Sequence, residues 1–235
     1  CKFVKSNAIV FANSEQLLGV GAGFTYSTDG PTHQGLQDVS AMASIPNLTI
    51  LNSSDPVNTQ AFAKLGYSTP GPKYIRLEKG VLPILYAESH DFNTGLSSLR
   101  SGTDITIIAT GVMVHRALEV AELLEQNSVK VGVVDLYRLK PINIPALLEC
   151  VDGTQRVVTL EEHILTGGMG SMVLTALMES KFFVPVLRLG IPDQHCYYYS
   201  NNRDNVLENY NLGKKHIVDN KTNINHLNHS CASNQ

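Results

Sequence analysis

Asp29-Gly30-Pro31-Thr32-His33-Gln34-Gly35 decides how the rest of the chain is read. Upstream of it lie the short apolar run 17–20 and the small residues Gly21, Ala22 and Gly23. Downstream, Leu36, Val39 and Ala43 recur at helical spacing until Ile45-Pro46-Asn47 stops the pattern. The pattern predicts a strand-to-helix turn, with the helix opening at Gly30-Pro31. Proline suits a first helical position because its φ is preset and it has no N–H to leave unpaired. In parallel α/β sheets ligands bind at such turns, outside the carboxyl ends of strands. This one carries an Asp and a His, and histidine titrates near neutrality. A lone pair of that kind is better explained by a capping Asp and an incidental surface His, so the companions of the turn carry the decision.

Those companions are Ser44-Ile45-Pro46-Asn47-Leu48 and Ser53-Ser54-Asp55-Pro56. Together with the heptapeptide they resemble the pyrimidine-binding domain of the transketolase family of thiamine diphosphate enzymes. In that family a DGPTHQ turn faces the substrate channel, and IPN and P-S-D segments follow in this order. A six-residue string with ordered companions is far more specific than a lone glycine motif.

The chain has 235 residues, a length for one large or two ordinary domains, and 43% of it is hydrophobic, ample for real cores. Charged residues make up 17%, below the roughly 25% usual for soluble domains. A surface covered by a partner explains that shortfall, and so does a Ser/Asn-rich one. A net charge of −3 without a basic block argues against nucleic-acid binding driven by phosphate contacts. No apolar run approaches the ~20 residues of a membrane span. Cys1, Cys150, Cys196 and Cys231 are scattered, with no C-x-x-C pair, and read as reduced cytosolic thiols. No signal-peptide pattern opens the chain, which begins with Cys, so a fragment or processed product of something longer is expected.

In chain order, residues 8–12 form a short apolar run, followed by Glu15-Gln16. Residues 48–51 are a β-prone run, and Asp55-Pro56 opens a helix through Ala61, Ala63 and Leu65. A loop rich in Gly and Pro spans 66–72. Residues 73–77 alternate like a strand and deliver Arg76, Lys79 and Gly80 at its end, where two cations suit an anionic ligand as well as a solvated terminus. Residues 83–100 read as a linker. A second unit then alternates strands at 104–109, 129–136, 156–160 and 184–190 with helices at 116–126, after Pro141, and at 171–178. Such alternation implies right-handed crossovers and a largely parallel sheet.

The expected fold is α/β: two three-layer α/β/α domains with largely parallel sheets, the first truncated. The boundaries are 1–88 for a partial pyrimidine-binding domain, 89–220 for a transketolase carboxyl-terminal domain, and 221–235 for a disordered tail rich in Asn, His and Ser. Glu161-Glu162-His163 with Gly167-Gly168 invites a metal site or a phosphate cradle. Neighbours on a strand point opposite ways, however, and neither a P-loop Lys nor a G-x-G-x-x-G spacing is present. The trio and Gly190-Ile191-Pro192-Asp193 resemble instead the family's carboxyl-terminal domain, which is chiefly structural and dimer-forming. Tyr197, Tyr198 and Tyr199 are consecutive, cannot share one face, and read as a surface or interface patch.

The resemblance covers residues 16–218 and implies transfer of a two-carbon ketol unit between sugar phosphates by thiamine diphosphate and Mg2+. It implies that His33 hydrogen-bonds substrate and moves protons, and that Asp29 accepts a hydrogen bond from a sugar hydroxyl. Lys79, with Arg76, would hold the phosphate. Lysine stands where the family has Arg, which keeps the charge but loses the bidentate fork. The family's magnesium-diphosphate signature, G-D-G followed by Asn, does not occur here. Glu15 stands only fourteen positions before Asp29, too close for the family's activating Glu, and reads as a surface carboxylate. The chain therefore implies an amino-terminal diphosphate-binding domain or subunit as partner, in a homodimer or heterotetramer, in the cytoplasm. Close alternatives are a deoxyxylulose-phosphate synthase and the beta subunit of a 2-oxo acid dehydrogenase. A non-catalytic scaffold is a reading of another class, favoured slightly by Ser44 and Gln37, where relatives carry Arg and an acidic residue.

Overall fold

The computed structural model describes residues 9–12, 16–19, 23–28, 30, 33–78 and 80–219. Glu15, Asp29 and Lys79 lie outside them, as does the expected tail beyond 220.

Among the described residues, two five-stranded sheets organise the fold. The first is built from β1 (Ile9–Ala12), β2 (Gln16–Gly19), β3 (Thr49–Asn52), β4 (Lys73–Arg76) and β8 (Arg138–Lys140), in the order β1-β2-β4-β3-β8. The second orders β10 (Val186–Ile191), β9 (Val157–Ile164), β6 (Ile105–Ala109), β7 (Val131–Asp135) and β5 (Ser97–Arg100). The central pairings β2–β4, β3–β4, β6–β7, β6–β9 and β9–β10 are parallel, while β1, β5 and β8 pair antiparallel. The α/β class with parallel-rich sheets is as the sequence predicts.

Strand alternation places a helix on each face. In the first sheet Ile50 and Tyr74 pack toward α1 (Asp38–Ala43), while Leu51 and Ile75 pack toward α2 (Pro56–Ser68). In the second, Ile105, Ile107, Val131 and Val133 meet α3 (Met113–Glu125). Ile108, Val134 and Val157 meet α4 (Ile144–Val151) and α5 (Met169–Glu179) on the opposite face. The cluster holding Val39, Ile50 and Tyr74 is continuous with Leu147 and Val173, so one core crosses from the first unit into the second. Burial of this apolar surface, at about 25 cal/mol per Å², is the main force joining the two units.

Four local readings need correction. The helix after the heptapeptide begins at Asp38, not at Gly30-Pro31, because Gly30 takes a positive φ of 75° and the His33 N–H donates to the Gly30 carbonyl at 3.0 Å. A turn, not a first helical coil, occupies that stretch. Residues 83–100 are not wholly a linker, since they contain β5, and β8 goes unread in the sequence. Both are short antiparallel strands whose Arg, Lys and Ser content lacks the apolar runs of the central strands. Finally, β9 runs on through Glu161, Glu162 and His163. Helix α6 spans Arg203–Asn209. Among the described residues, no helix is long and apolar enough to cross a membrane.

Candidate active site

The loop from Gly23 to Gly35 is closed at its base by a 2.9 Å hydrogen bond from the Gly23 N–H to the Gly35 carbonyl. Gly23, at φ 80°, has to be glycine: a Cβ there would run into the Glu162 carboxylate and come within 2.7 Å of Arg76 Nη2. The 3-10 turn Gly23–Tyr26 leads into the loop, and the ring of Phe24 stacks on Tyr210 with centroids 5.5 Å apart. On the way out, the Leu36 carbonyl accepts the Ile164 N–H at 3.0 Å. Strand β9 of the second unit therefore grips the heptapeptide turn of the first. His33 sits half-buried on this loop.

Beneath the loop lies a buried cluster of charges. Arg76 is 1% exposed and donates Nε to Asp38 at 3.0 Å, Nη1 to Glu78 at 3.3 Å and Nη2 to the Gly35 carbonyl at 3.5 Å. Tyr74 adds its hydroxyl to Asp38 at 2.6 Å. From the second unit, Arg203 donates to Glu162 at 2.6 Å and approaches Glu78 at 4.0 Å. The sequence makes Arg76 a second open cation for a phosphate; in the structure it is a buried ion-pair partner with all three nitrogens engaged. Its place at the carboxyl end of β4 puts it in the right neighbourhood, but its side chain turns inward.

The titration of this cluster follows its charge count. Burial pushes the Asp38 carboxyl up, but Arg76, His163 and the Tyr74 hydroxyl outweigh it and hold Asp38 below the usual carboxylate range. Three carboxylates, Asp38, Glu78 and Glu162, face two guanidiniums, Arg76 and Arg203, so one carboxylate is in surplus. Glu78 carries that surplus: burial first, then repulsion from Glu162, raises it to about 7 against the pull of Arg203 and Arg76.

The Glu-Glu-His trio divides as strand alternation requires. Glu162 faces Arg203, whereas Glu161 and His163 share the other face and meet at 3.2 Å. Both Glu161 oxygens accept the first N–H groups of α5, from Met169 at 2.6 Å and Gly170 at 2.7 Å. The glycine-rich helix start is thus capped by the protein's own carboxylate. Around the same seam the Gln34 carboxamide, Asp38 Oδ1, Glu162 Oε2 and His163 Nε2 are buried with no hydrogen-bond partner among the described residues.

The Ser53-Ser54-Asp55-Pro56 segment meets the second unit at a different seam. Asp55 caps α2 by accepting from the Asn58 N–H at 2.7 Å, and its other oxygen takes the Leu85 and Tyr86 N–H groups at 2.8 and 3.1 Å. Ser54 and Tyr86 both donate to Asp135 Oδ2, at 2.5 and 2.7 Å. His115 contacts the Ser54 carbonyl at 2.8 Å. Burial without a facing cation raises Asp135 to about 7, although the two hydroxyls pull it back.

Of the residues that surround the turn, Asp38 and Arg203 carry no local sequence signal, and Glu162 and His163 belong to a trio that the sequence assigns to packing. Only the pairing of a buried Glu-Glu-His strand with an Arg 41 positions beyond Glu162, seen in three dimensions, reveals them. Among the described residues, no group of three or more His, Cys, Asp or Glu side chains is placed to hold a metal ion.

Residues 7–84 match the family profile described as the transketolase pyrimidine binding domain, and residues 96–217 match the transketolase C-terminal domain. One subunit of the apulose-4-phosphate transketolase of Phocaeicola vulgatus is 32% identical over 217 residues, covering 91% of this chain and 68% of that protein. The 1-deoxy-D-xylulose-5-phosphate synthase of Crocosphaera subtropica is 36% identical over 171 residues, where the match spans 27% of the synthase. A solved split-gene transketolase, an inactive beta4 tetramer, superposes with a TM-score of 0.77 at 33% identity, over 87% of this chain and 64% of that one. The transketolase of Campylobacter jejuni superposes at 0.70 and 20% identity, over 88% of this chain and 31% of that one, a likeness of fold.

Proposed function

This chain belongs to the transketolase family, and we propose that it is the carboxyl-terminal subunit or segment of a transketolase that moves a two-carbon ketol unit between sugar phosphates. The observation that carries this reading is the match, along 91% of the chain, to one subunit of a transketolase built from separate subunits. The family string at 29–35 supports it, and its described residues Gly30 and His33–Gly35 lie where hydrogen bonds from both units converge.

Thiamine diphosphate, bound with Mg2+, supplies the nucleophilic carbon that takes up and hands on the two-carbon unit. The chain has no G-D-G…Asn string for the diphosphate, so the partner is an amino-terminal diphosphate-binding domain or subunit, and the assembly is a homodimer or a heterotetramer. In a site completed between the two, His33 hydrogen-bonds the substrate and accepts or returns its proton. Asp29 accepts a hydrogen bond from a sugar hydroxyl, and Lys79 holds the phosphate end so that the reacting carbons stay aligned. Arg76 serves this site from beneath, through Asp38 and the Gly35 carbonyl, as a positioning residue. The unpaired Cys150 and Cys196 suit a reducing compartment such as the cytoplasm.

The test is to assemble the chain with its diphosphate-binding partner, thiamine diphosphate and Mg2+, and to measure ketol transfer between sugar phosphates. His33→Ala is expected to lower kcat/KM by about two to four orders of magnitude. An unchanged rate removes His33 from the chemistry. The synthase relatives support a second reading, and formation of 1-deoxy-D-xylulose 5-phosphate in place of ketol transfer would select it.

A further inference from the structure

We infer that Tyr199, in the second unit, is a positioning residue for the His33 turn; this rests on the role proposed above for His33. The three consecutive tyrosines have no part in that reading, yet their segment is sewn onto the loop 23–35. The Ser200 N–H donates to the Ser27 carbonyl at 2.9 Å. The Tyr198 N–H points to the Tyr210 hydroxyl at 3.3 Å, and Tyr210 in turn stacks on Phe24 at the head of the loop. Just beyond, Arg203 closes on Glu162. Between these stitches Tyr199 lies beside Gly30: a Cβ placed on Gly30 would stand at van der Waals distance, 3.9 Å, from Cβ and Cδ1 of Tyr199.

Gly30 is the residue whose carbonyl accepts the His33 N–H and closes the turn. At φ 75° it has the conformational freedom that glycine alone brings, and no side chain of its own to hold it. The aromatic ring supplies the missing wall. It restricts Gly30 from outside and so limits where the His33 imidazole is presented. Tyr199 remains 65% exposed, so little folding energy depends on it, and a buried structural role does not explain it. The atoms of Tyr199 nearest the position of a Gly30 Cβ are Cβ, Cδ1 and Cγ, which makes the ring the feature to test.

The discriminating variants are therefore Tyr199→Ala and Tyr199→Phe, compared in the assembled enzyme. Tyr199→Ala is expected to lower kcat/KM about tenfold, mostly in kcat, because a displaced general base loses alignment. Tyr199→Phe should stay within about twofold of wild type, and the melting temperature of both should hold within about 2 °C, as for exposed positions. Carbethoxylation of His33, followed by peptide mass spectrometry, reads the turn without relying on turnover. Its rate should change at least about threefold in Tyr199→Ala and not in Tyr199→Phe, since local opening sets access. The exposed His90 and His216 serve as internal references. If wild type transfers no ketol unit, the proposed activity fails, and the His33 labelling rate alone decides the role of Tyr199. Unchanged labelling and turnover in Tyr199→Ala overturn the inference, as does an equal loss in Tyr199→Phe.

Discussion

Two of the seams between the units, the one under the His33 turn and the one under the Ser53–Pro56 segment, differ in their electrostatics. Under the His33 turn, Asp38 faces Arg76 and is held as an anion. Under the Ser53–Pro56 segment, Asp135 faces only hydroxyls, from Ser54 and Tyr86, and is pushed up to about 7. Both carboxyls are largely enclosed, so burial alone does not set their charge state. The groups that face each carboxyl decide it: Arg76, His163 and the Tyr74 hydroxyl for Asp38, hydroxyls alone for Asp135. The charged seam lies under the His33 turn, and the other lies where the Ser53–Pro56 segment meets Tyr86 and Asp135.

The pH dependences of Asp38 and Asp135 run in opposite directions. A depressed carboxyl such as Asp38 gives stability that is present above its unfolded pKa and is lost as pH falls through its lower, folded value. A raised carboxyl such as Asp135 gives stability that is complete in acid, below about 4, and is lost as pH rises to about 7. Stability measured from pH 3 to pH 8 should thus climb with Asp38 and decline with Asp135, and Glu78, raised to about 7 within the first seam, should add to the decline.

The largest way to break the contrast is Arg76→Met. It leaves Asp38 and Glu78 enclosed without their cation, and a loss of about 3–5 kcal/mol is expected by urea denaturation at neutral pH. A loss under about 1 kcal/mol would mean that the carboxylates reach water or take up protons freely. Asp135→Asn is the next largest and has the opposite sign. It keeps an acceptor for Ser54 and Tyr86 and removes the buried ionisation, so a gain of roughly 1–3 kcal/mol at pH 8 should shrink toward zero near pH 4. A gain that does not vary with pH would refute the raised carboxyl. The smallest is Tyr74→Phe, which deletes one donor to Asp38 and should cost about 1 kcal/mol. The informative readout there is the acid limb of the stability curve, which should move to higher pH as Asp38 loses part of its stabilisation.

Much of the fold was legible because period-2 and period-3.6 patterns are local. The runs at 48–51, 104–109 and 129–136 became β3, β6 and β7 within a residue or two, and Asp55-Pro56 did open a helix with its side chain as cap. Strands β5 and β8 were not legible, because a Ser- or Arg-rich edge strand forms only where a neighbour offers unpaired backbone. Of the site residues, His33 and its turn were found through a string of specific residues. Arg76 is legible at its strand end, but its inward turn toward Asp38 and Glu78 is not, because sequence spacing places a side chain on an element without saying what lies above it.

By itself, then, the order of residues determined the family, the α/β class and the identity of the turn that carries His33, since each depends on contiguous residues. The tertiary structure decided which carboxylates bear charge, which unit holds the turn in place, and that Arg76 points inward. Those properties arise from groups brought together across the two units, such as Asp38 with His163, Glu162 with Arg203 and Gly30 with Tyr199. Electrostatic and packing energies depend on distance in space and on exclusion of water, and neither is encoded by separation along the chain.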